Sequence, residues 1–295
     1  MVKSFIKNTQ RRFQNKVQKE GSVWLKPYLF LLAFLRPVYF NKEFLLLNGL
    51  RREPKSGQQS FIFFTVHKSA STFIKNTIIK LIGPSHITAV ELSGYLSRKR
   101  QEKYYNNPAF MKKVLYKTGY FFGAFRAFYP FPDLDKFKIL LVLRDPRDVL
   151  TSFYFSTLYN HPLSTKTVYE ERKKYETYTI DEYVLETAPA MQKKYAAYCK
   201  NLLNRSNVLF LKYEDMISDF SNWLHTLNSF LELKDNEEQL QEIIAATTFK
   251  VDKEDPKSFI RNIKSGDHLN KLKTETINKL NELFFNELKM LGYKI

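Results

Sequence analysis

Ser60–Phe73 reads SFIFFTVHKSASTF: an apolar run, then a polar turn rich in hydroxyls, then the start of a helical pattern. The run Ser60–Val66 fits a buried strand, and the pattern from Ser71 to about Ile82 fits a helix closed by Gly83-Pro84. Where a strand feeds a helix in this way, free backbone N–H groups and the positive end of the helix dipole converge on one point. A phosphate or sulfate is the natural guest there. Lys68 adds a full positive charge, and Ser69, Ser71 and Thr72 add hydroxyl donors. Simple capping of the helix by Ser69 or Ser71 is the competing reading of the same residues. The loop has no glycine and its lysine comes early, so it does not match G-x-x-x-x-G-K-[ST], and Mg²⁺ is not implied.

Working outward, His86–Leu92, Gly119–Phe125, Lys138–Leu143 (KILLVL) and Asn207–Tyr213 (NVLFLKY) read as further strands, and Pro146–Leu158 as a helix. Strands alternating with helices predict an α/β fold, with a central parallel sheet of about five strands covered on both faces. In Leu143–Tyr154 (LRDPRDVLTSFY), Pro146 suits the first helical position and Asp145 the N-cap. Arg144 then lies at the carboxyl end of a strand, the edge at which open parallel sheets bind ligands. Its forked donors suit a phosphate, and Ser152, two turns on, can address the same anion. An Arg144–Asp148 ion pair that merely holds the loop is the alternative.

The chain has 295 residues and a formal net charge of +17, which calls for an anionic partner. Residues 1–56 hold twelve Lys/Arg against three acids, so about half of that excess sits in the first fifth of the chain. Composition turns polar at Arg51–Gln59 (RREPKSGQQ), which divides a basic helical extension, residues 1–56, from a main domain, residues 57–295. Phe5, Ile6, Phe13 and Val17 recur among Lys3, Lys7, Arg11, Arg12, Lys16 and Lys19, as in a helix lying on an anionic membrane or packed on the main domain. The longest apolar run, Tyr28–Leu35, is far short of the ~20 residues a membrane span needs. No small-residue cleavage site follows it, so the chain is expected to stay cytoplasmic, with peripheral membrane contact as the variant. Cys199 is the single cysteine, which excludes a disulfide within this chain and fits a buried position in a reducing compartment. The charge alone suggests nucleic acid, but no nucleic-acid-binding motif supports it.

Together the two segments resemble the donor-binding signature of the sulfotransferases that use 3′-phosphoadenosine 5′-phosphosulfate (PAPS). The family's first loop, typically P-K-S-G-T-T-W, corresponds here to His67-Lys68-Ser69-Ala70-Ser71-Thr72-Phe73. Its second motif, R-[DN]-P-[RK]-D-x-x-x-S, is matched in full by Arg144–Ser152. Val208–Met216 (VLFLKYEDM) resembles L-x-Y-E-D, and Thr247-Thr248-Phe249 resembles T-S-F. Phe259-Ile260-Arg261 with Gly266-Asp267 resembles F-x-R-K-G-x-x-G-D. The resemblance spans about residues 60–270 and implies a three-layer P-loop-like fold. It further implies that Lys68, Ser69, Ala70, Ser71 and Thr72 hold the 5′-phosphosulfate and that Phe73 takes the place of a tryptophan stacked on adenine. Arg144, Ser152 and Arg261 would bind the 3′-phosphate, and Tyr213, Thr247 and Phe249 would line the adenosine pocket. Ala70 stands where the family has glycine, so the loop must avoid positive φ there or accept strain. Asn262-Ile263 replaces K-G, which removes a charge, with Lys264 as a substitute.

The family's small-molecule members use a histidine just after the third strand, but this chain reads Gly123-Ala124-Phe125-Arg126-Ala127-Phe128 there. Members acting on glycans or protein tyrosines use a glutamate some twenty residues beyond the first loop. Glu91, 23 residues after Lys68, is therefore the leading general base, ahead of His67 and His86, with a surface or capping role as the alternative. The aromatic stretch Tyr104–Phe131, with Lys112, Lys113, Lys117 and Arg126, falls where an acceptor pocket or lid would form. The expected activity is sulfuryl transfer from PAPS to a hydroxyl of a glycan, glycolipid or other alcohol. The alternatives are a P-loop-like kinase and a catalytically inactive nucleotide-binding module.

Overall fold

The computed structural model describes residues 25–50, 54, 56–96, 98–160, 166–233, 237–249, 251, 254, 255, 258 and 261–295. The helix expected over residues 3–19, and Phe259 and Ile260 of the last motif, lie outside the described residues.

Five strands form one parallel sheet: β1 Phe61–Thr65, β2 Thr88–Val90, β3 Tyr120–Phe125, β4 Lys138–Leu143 and β5 Val208–Lys212, in the order β2-β3-β1-β4-β5. All five residues of β1 are buried, as a strand covered on both faces requires. Its side chains alternate accordingly. Ile62 and Phe64 join one core with Val149, Leu150 and the long helix Ile180–Asn201, while Phe61 and Phe63 join the other with Ile74, Ile78, Leu81 and the helix Phe220–Leu231. The result is a three-layer α/β fold. Cys199 is buried in the first core, and burial pushes its thiol up to about 11.

β1 and β4 are adjacent and in register, with Thr65 opposite Val142, so the loops that follow them emerge side by side. The helix after β1, Ser71–Leu81, covers one face, whereas the helix after β4, Pro146–Phe155, covers the other. A crevice opens where successive connections part in this way. Two buried tyrosines on Ile180–Asn201 brace that edge: Tyr198 donates to the Thr65 carbonyl at 2.6 Å and Tyr195 to that of Arg144 at 2.5 Å.

Three elements differ in extent from the sequence expectation. β2 is only three residues long because it is an edge strand, paired to β3 from Thr88 to Val90 alone. Pro146–Phe155 gives way to a π turn at Ser156–Asn160. Tyr213 opens the helix Tyr213–Ser218 instead of ending β5, with Glu214 and Asp215 favouring its first turn. The extension contributes the helices Leu25–Tyr39 and Asn41–Leu47. The second docks beside β2, where buried Glu43 accepts the Glu91 backbone N–H at 2.8 Å and Phe44 meets the Tyr95 ring. Among the described residues, no helix is long and apolar enough to cross a membrane.

Candidate functional site

The first loop settles the strain question raised by its missing glycine. Lys68 and Ala70 take left-handed backbone angles, with φ of 66° and 54°. For an L-residue this costs roughly 1–2 kcal/mol each, so the loop accepts strain and does not avoid it. Ala70 is the N-cap of Ser71–Leu81 and offers no side-chain acceptor. Capping by serine is therefore not what this loop does. Ser69 Oγ is buried without a partner among the described residues, and Ser71 Oγ accepts Arg126 Nη2 at 3.3 Å. The first-turn amides of Ser71–Leu81 are left for an outside acceptor, which is the arrangement that holds an anion.

The second segment builds as its residue types require. Asp145 caps Pro146–Phe155 by accepting the Arg147 N–H at 2.9 Å. Arg144, 3% exposed, lies over the Tyr213 ring with its guanidinium carbon 4.5 Å from the ring centre. It donates to the carbonyls of Lys68 at 3.1 Å and Lys264 at 3.2 Å, and thus pins the first loop to the C-terminal segment. The ion pair with Asp148 is present at 3.6 Å. Asp148 is also the hub of that segment, accepting backbone N–H groups of Gly266 at 2.8 Å and His268 at 3.0 Å and lying 2.7 Å from His268 Nδ1. The His268 hydrogen bond and the Arg144 charge hold the Asp148 carboxyl low despite its burial.

Arg261 packs over the Phe155 ring at 4.2 Å and pairs with Glu254 and Asp267. Half-buried Ser152 sits one turn before Phe155 on the same helix face. Asn262 bridges Asp267 and the Lys264 N–H, so it works as a brace. Lys68 reports the crowding of these cations: burial first, and then the charges of Arg144 and Arg261, lower its ammonium to about 8. Arg144 Nε and Arg261 Nε, like Ser69 Oγ, are buried without partners among the described residues. Spare buried donors beside a desolvated lysine suit a multiply charged oxyanion.

Next to this cluster, Phe73 and Phe249 approach edge-to-face at 5.3 Å. Phe220 completes the group, 5.6 Å from Phe73 and 5.4 Å from Phe249. The sequence reading overlooked Phe220. Its signal was Asp219-Phe220, an N-cap followed by an apolar residue, which reads as ordinary helix packing. Thr247 Oγ1 donates to the Ile243 carbonyl at 2.7 Å, and the Tyr213 hydroxyl to that of Ile263 at 2.9 Å, which places Tyr213 with the arginines.

On the β2–β3 side, Glu91 pairs with Lys75 at 2.5 Å. Lys75 lies one turn along the helix from Ser71, so the carboxylate is linked to the first loop. His67 faces the Phe153 ring at 5.5 Å, and His86 is exposed in a turn with φ 55°. Arg126, which the sequence marked only as one of four basic residues in an aromatic stretch, follows β3 and reaches Ser71.

The fold and this edge define a P-loop-like α/β protein in which the segments after β1 and β4 meet at the sheet's switch point. The chain belongs to the sulfotransferase family: the sulfotransferase domain profile matches residues 128–292. It is 30% identical over 134 residues to the amine sulfotransferase of the rabbit, Oryctolagus cuniculus, a match covering 45% of this chain and 42% of that protein. The chain thus aligns with less than half the length of that curated relative. The crystal structure of mouse sulfotransferase SULT7A1 complexed with PAP shares the fold with a TM-score of 0.56 at 18% identity, covering 83% of this chain and 89% of that one. The Lys68 loop precedes the residues matched by the profile and stands on its geometry.

Proposed function

We propose that the chain transfers a sulfuryl group from PAPS to an acceptor hydroxyl of a glycan, glycolipid or other alcohol. The observation that carries this reading is the convergence of Lys68, Arg144 and Arg261 beside an uncapped helix start, where Ser69 Oγ, Arg144 Nε and Arg261 Nε are buried and unsatisfied among the described residues. In this reading Lys68, Ser69, Ser71 and Thr72, with the Ala70 backbone, receive the 5′-phosphosulfate. Arg144, Ser152 and Arg261 receive the 3′-phosphate. Phe73, Phe249 and Phe220 flank the adenine, with Tyr213 and Thr247 bordering the adenosine.

Sulfuryl transfer depends on positioning and charge stabilisation. The acceptor oxygen attacks sulfur in line, a new S–O bond forms, and the bond to the bridging oxygen breaks with its electron pair leaving on the bisphosphate. Lys68 neutralises the charge growing on that oxygen, and Glu91 takes the acceptor's proton. Incubation with sulfur-labelled PAPS and a panel of glycans, lipids and alcohols tests this, with transfer expected to persist in EDTA. Tight binding of the bisphosphate without transfer to any acceptor would leave only a binding module. Labelling that instead requires ATP and Mg²⁺ would favour the kinase.

We also assign the extension to an anionic membrane surface on the cytoplasmic side. Phe30, Phe34 and Val38 recur every fourth residue on Leu25–Tyr39 and are 77%, 73% and 56% exposed. An apolar stripe this open, joined to the most basic part of the sequence, suits a bilayer interface. The chain should sediment with phosphatidylserine vesicles and not with phosphatidylcholine vesicles, and failure with both overturns the assignment.

A further inference from the structure

Arg126, half-buried, is placed unlike the buried Arg144, Arg147 and Arg261. Arg144, Arg147 and Arg261 each face a carboxylate within ion-pairing distance. Arg126 has no such pair among the described residues; its one hydrogen bond goes to Ser71 Oγ at 3.3 Å, and its Nε is buried with no partner. Burial lowers its guanidinium, and the groups that act on it are Glu91, Tyr198 and Tyr105. Glu91 is engaged by Lys75 at 2.5 Å, Tyr198 donates to the Thr65 carbonyl, and the Tyr105 hydroxyl is buried and unsatisfied. A desolvated guanidinium whose nearest carboxylate is held by another cation is only partly compensated, and a ligand anion can supply the rest.

Arg126 touches the first loop through Ser71 but stands apart from the cations grouped on Lys68. The cations that act on Lys68 are Arg144 and Arg261, with Arg126 not among them. Arg126 instead adjoins an aromatic wall in which Tyr105 packs on Phe125 at 5.2 Å and on Tyr129 at 4.7 Å. We propose that Arg126 sets acceptor specificity by binding an anionic group, a carboxylate, phosphate or sulfate, carried by the hydroxyl compound beside the reacting hydroxyl. Tyr105 adds a hydroxyl to the same anion. This rests on the PAPS reading of the Ser71 loop.

The test uses the full chain saturated with adenosine 3′,5′-bisphosphate and matched pairs of alcohols differing only in a carboxylate, such as a nitrophenyl glucuronide and the corresponding glucoside. Calorimetry should show the carboxylated member bound at least about tenfold more tightly, as one charge-assisted bidentate contact implies. Arg126→Gln should abolish the preference while leaving bisphosphate affinity unchanged, and Arg126→Lys should keep part of it. Equal or absent binding of both members by the native chain overturns the proposal. So does a preference that survives Arg126→Gln, or a substitution that weakens PAPS and not the acceptor, which would place Arg126 on the transferring group. If the native chain fails to bind the bisphosphate, the donor reading falls, and this assignment with it.

Discussion

The proposed donor end and the proposed acceptor end of the site hold their positive charge in different ways. At the donor end Arg144 and Arg261 are paired with Asp148, Glu254 and Asp267, and Asp148 also ties the C-terminal segment to the helix after β4. At the acceptor end Arg126 leans on one hydroxyl, and the carboxylate nearest in charge, Glu91, is committed to Lys75. The donor end is thus preorganised before ligand arrives, with only a few donors left over. The proposed acceptor end keeps a cation with no carboxylate in ion-pairing contact among the described residues and a carboxylate held by Lys75, an arrangement that a bound partner would complete.

The sharpest break would come at Glu91. If it is the base, Glu91→Gln should lower the transfer rate by about 10²–10⁴-fold with bisphosphate affinity unchanged. If it only anchors Lys75, a partly exposed pair worth ~0–1 kcal/mol, transfer should fall less than threefold and only stability should shift. Single-turnover transfer and bisphosphate titration on one preparation separate the two.

Lys68 tests the donor end through pH. In the free protein its ammonium is lowered to about 8, and a bound anion should raise it again. The charged fraction falls about tenfold between pH 7 and 9, so bisphosphate affinity should fall by up to the same factor. Folding has the opposite sign. The unfolded lysine keeps 10.5, so the cost of burying it charged is fully present below about 8 and fades as pH rises towards 10.5. Lys68→Met should lose the pH-dependent affinity and gain stability at pH 7. A native affinity that is flat from pH 7 to 9 would detach Lys68 from the anion.

The same contrast explains what could be read from the sequence. Each donor segment is contiguous: Lys68–Phe73 and Arg144–Ser152 follow their strands, and strand ends can be located from apolar runs such as KILLVL. Their meeting follows from β1 lying next to β4; alternating strands and helices imply parallel strands but leave that neighbour open. Arg126 and Tyr105 come within electrostatic reach only because three short helices, Leu92–Tyr95, Arg98–Tyr105 and Pro108–Val114, fold between β2 and β3, and no periodicity announced them. Phe220 was hidden for a related reason, since a core aromatic and a base-stacking aromatic have the same sequence signature. Ala70 was visible as a missing glycine, but whether the loop would bend or keep its shape was a tertiary matter.

Ala70 also gives the smallest effect. If neighbouring contacts fix the donor loop, the methyl at φ 54° is only a local cost and the amides that hold the anion do not depend on it. Replacing it with glycine removes roughly 1 kcal/mol of left-handed strain, but the freer unfolded chain takes back about 0.4–1 kcal/mol. Ala70→Gly should therefore change unfolding free energy by under ~1 kcal/mol and bisphosphate affinity by less than threefold. A tenfold gain in affinity would show that the loop settles into its anion-holding shape only when ligand binds. The donor end would then be as incomplete on its own as the acceptor end, and the contrast between them would fail.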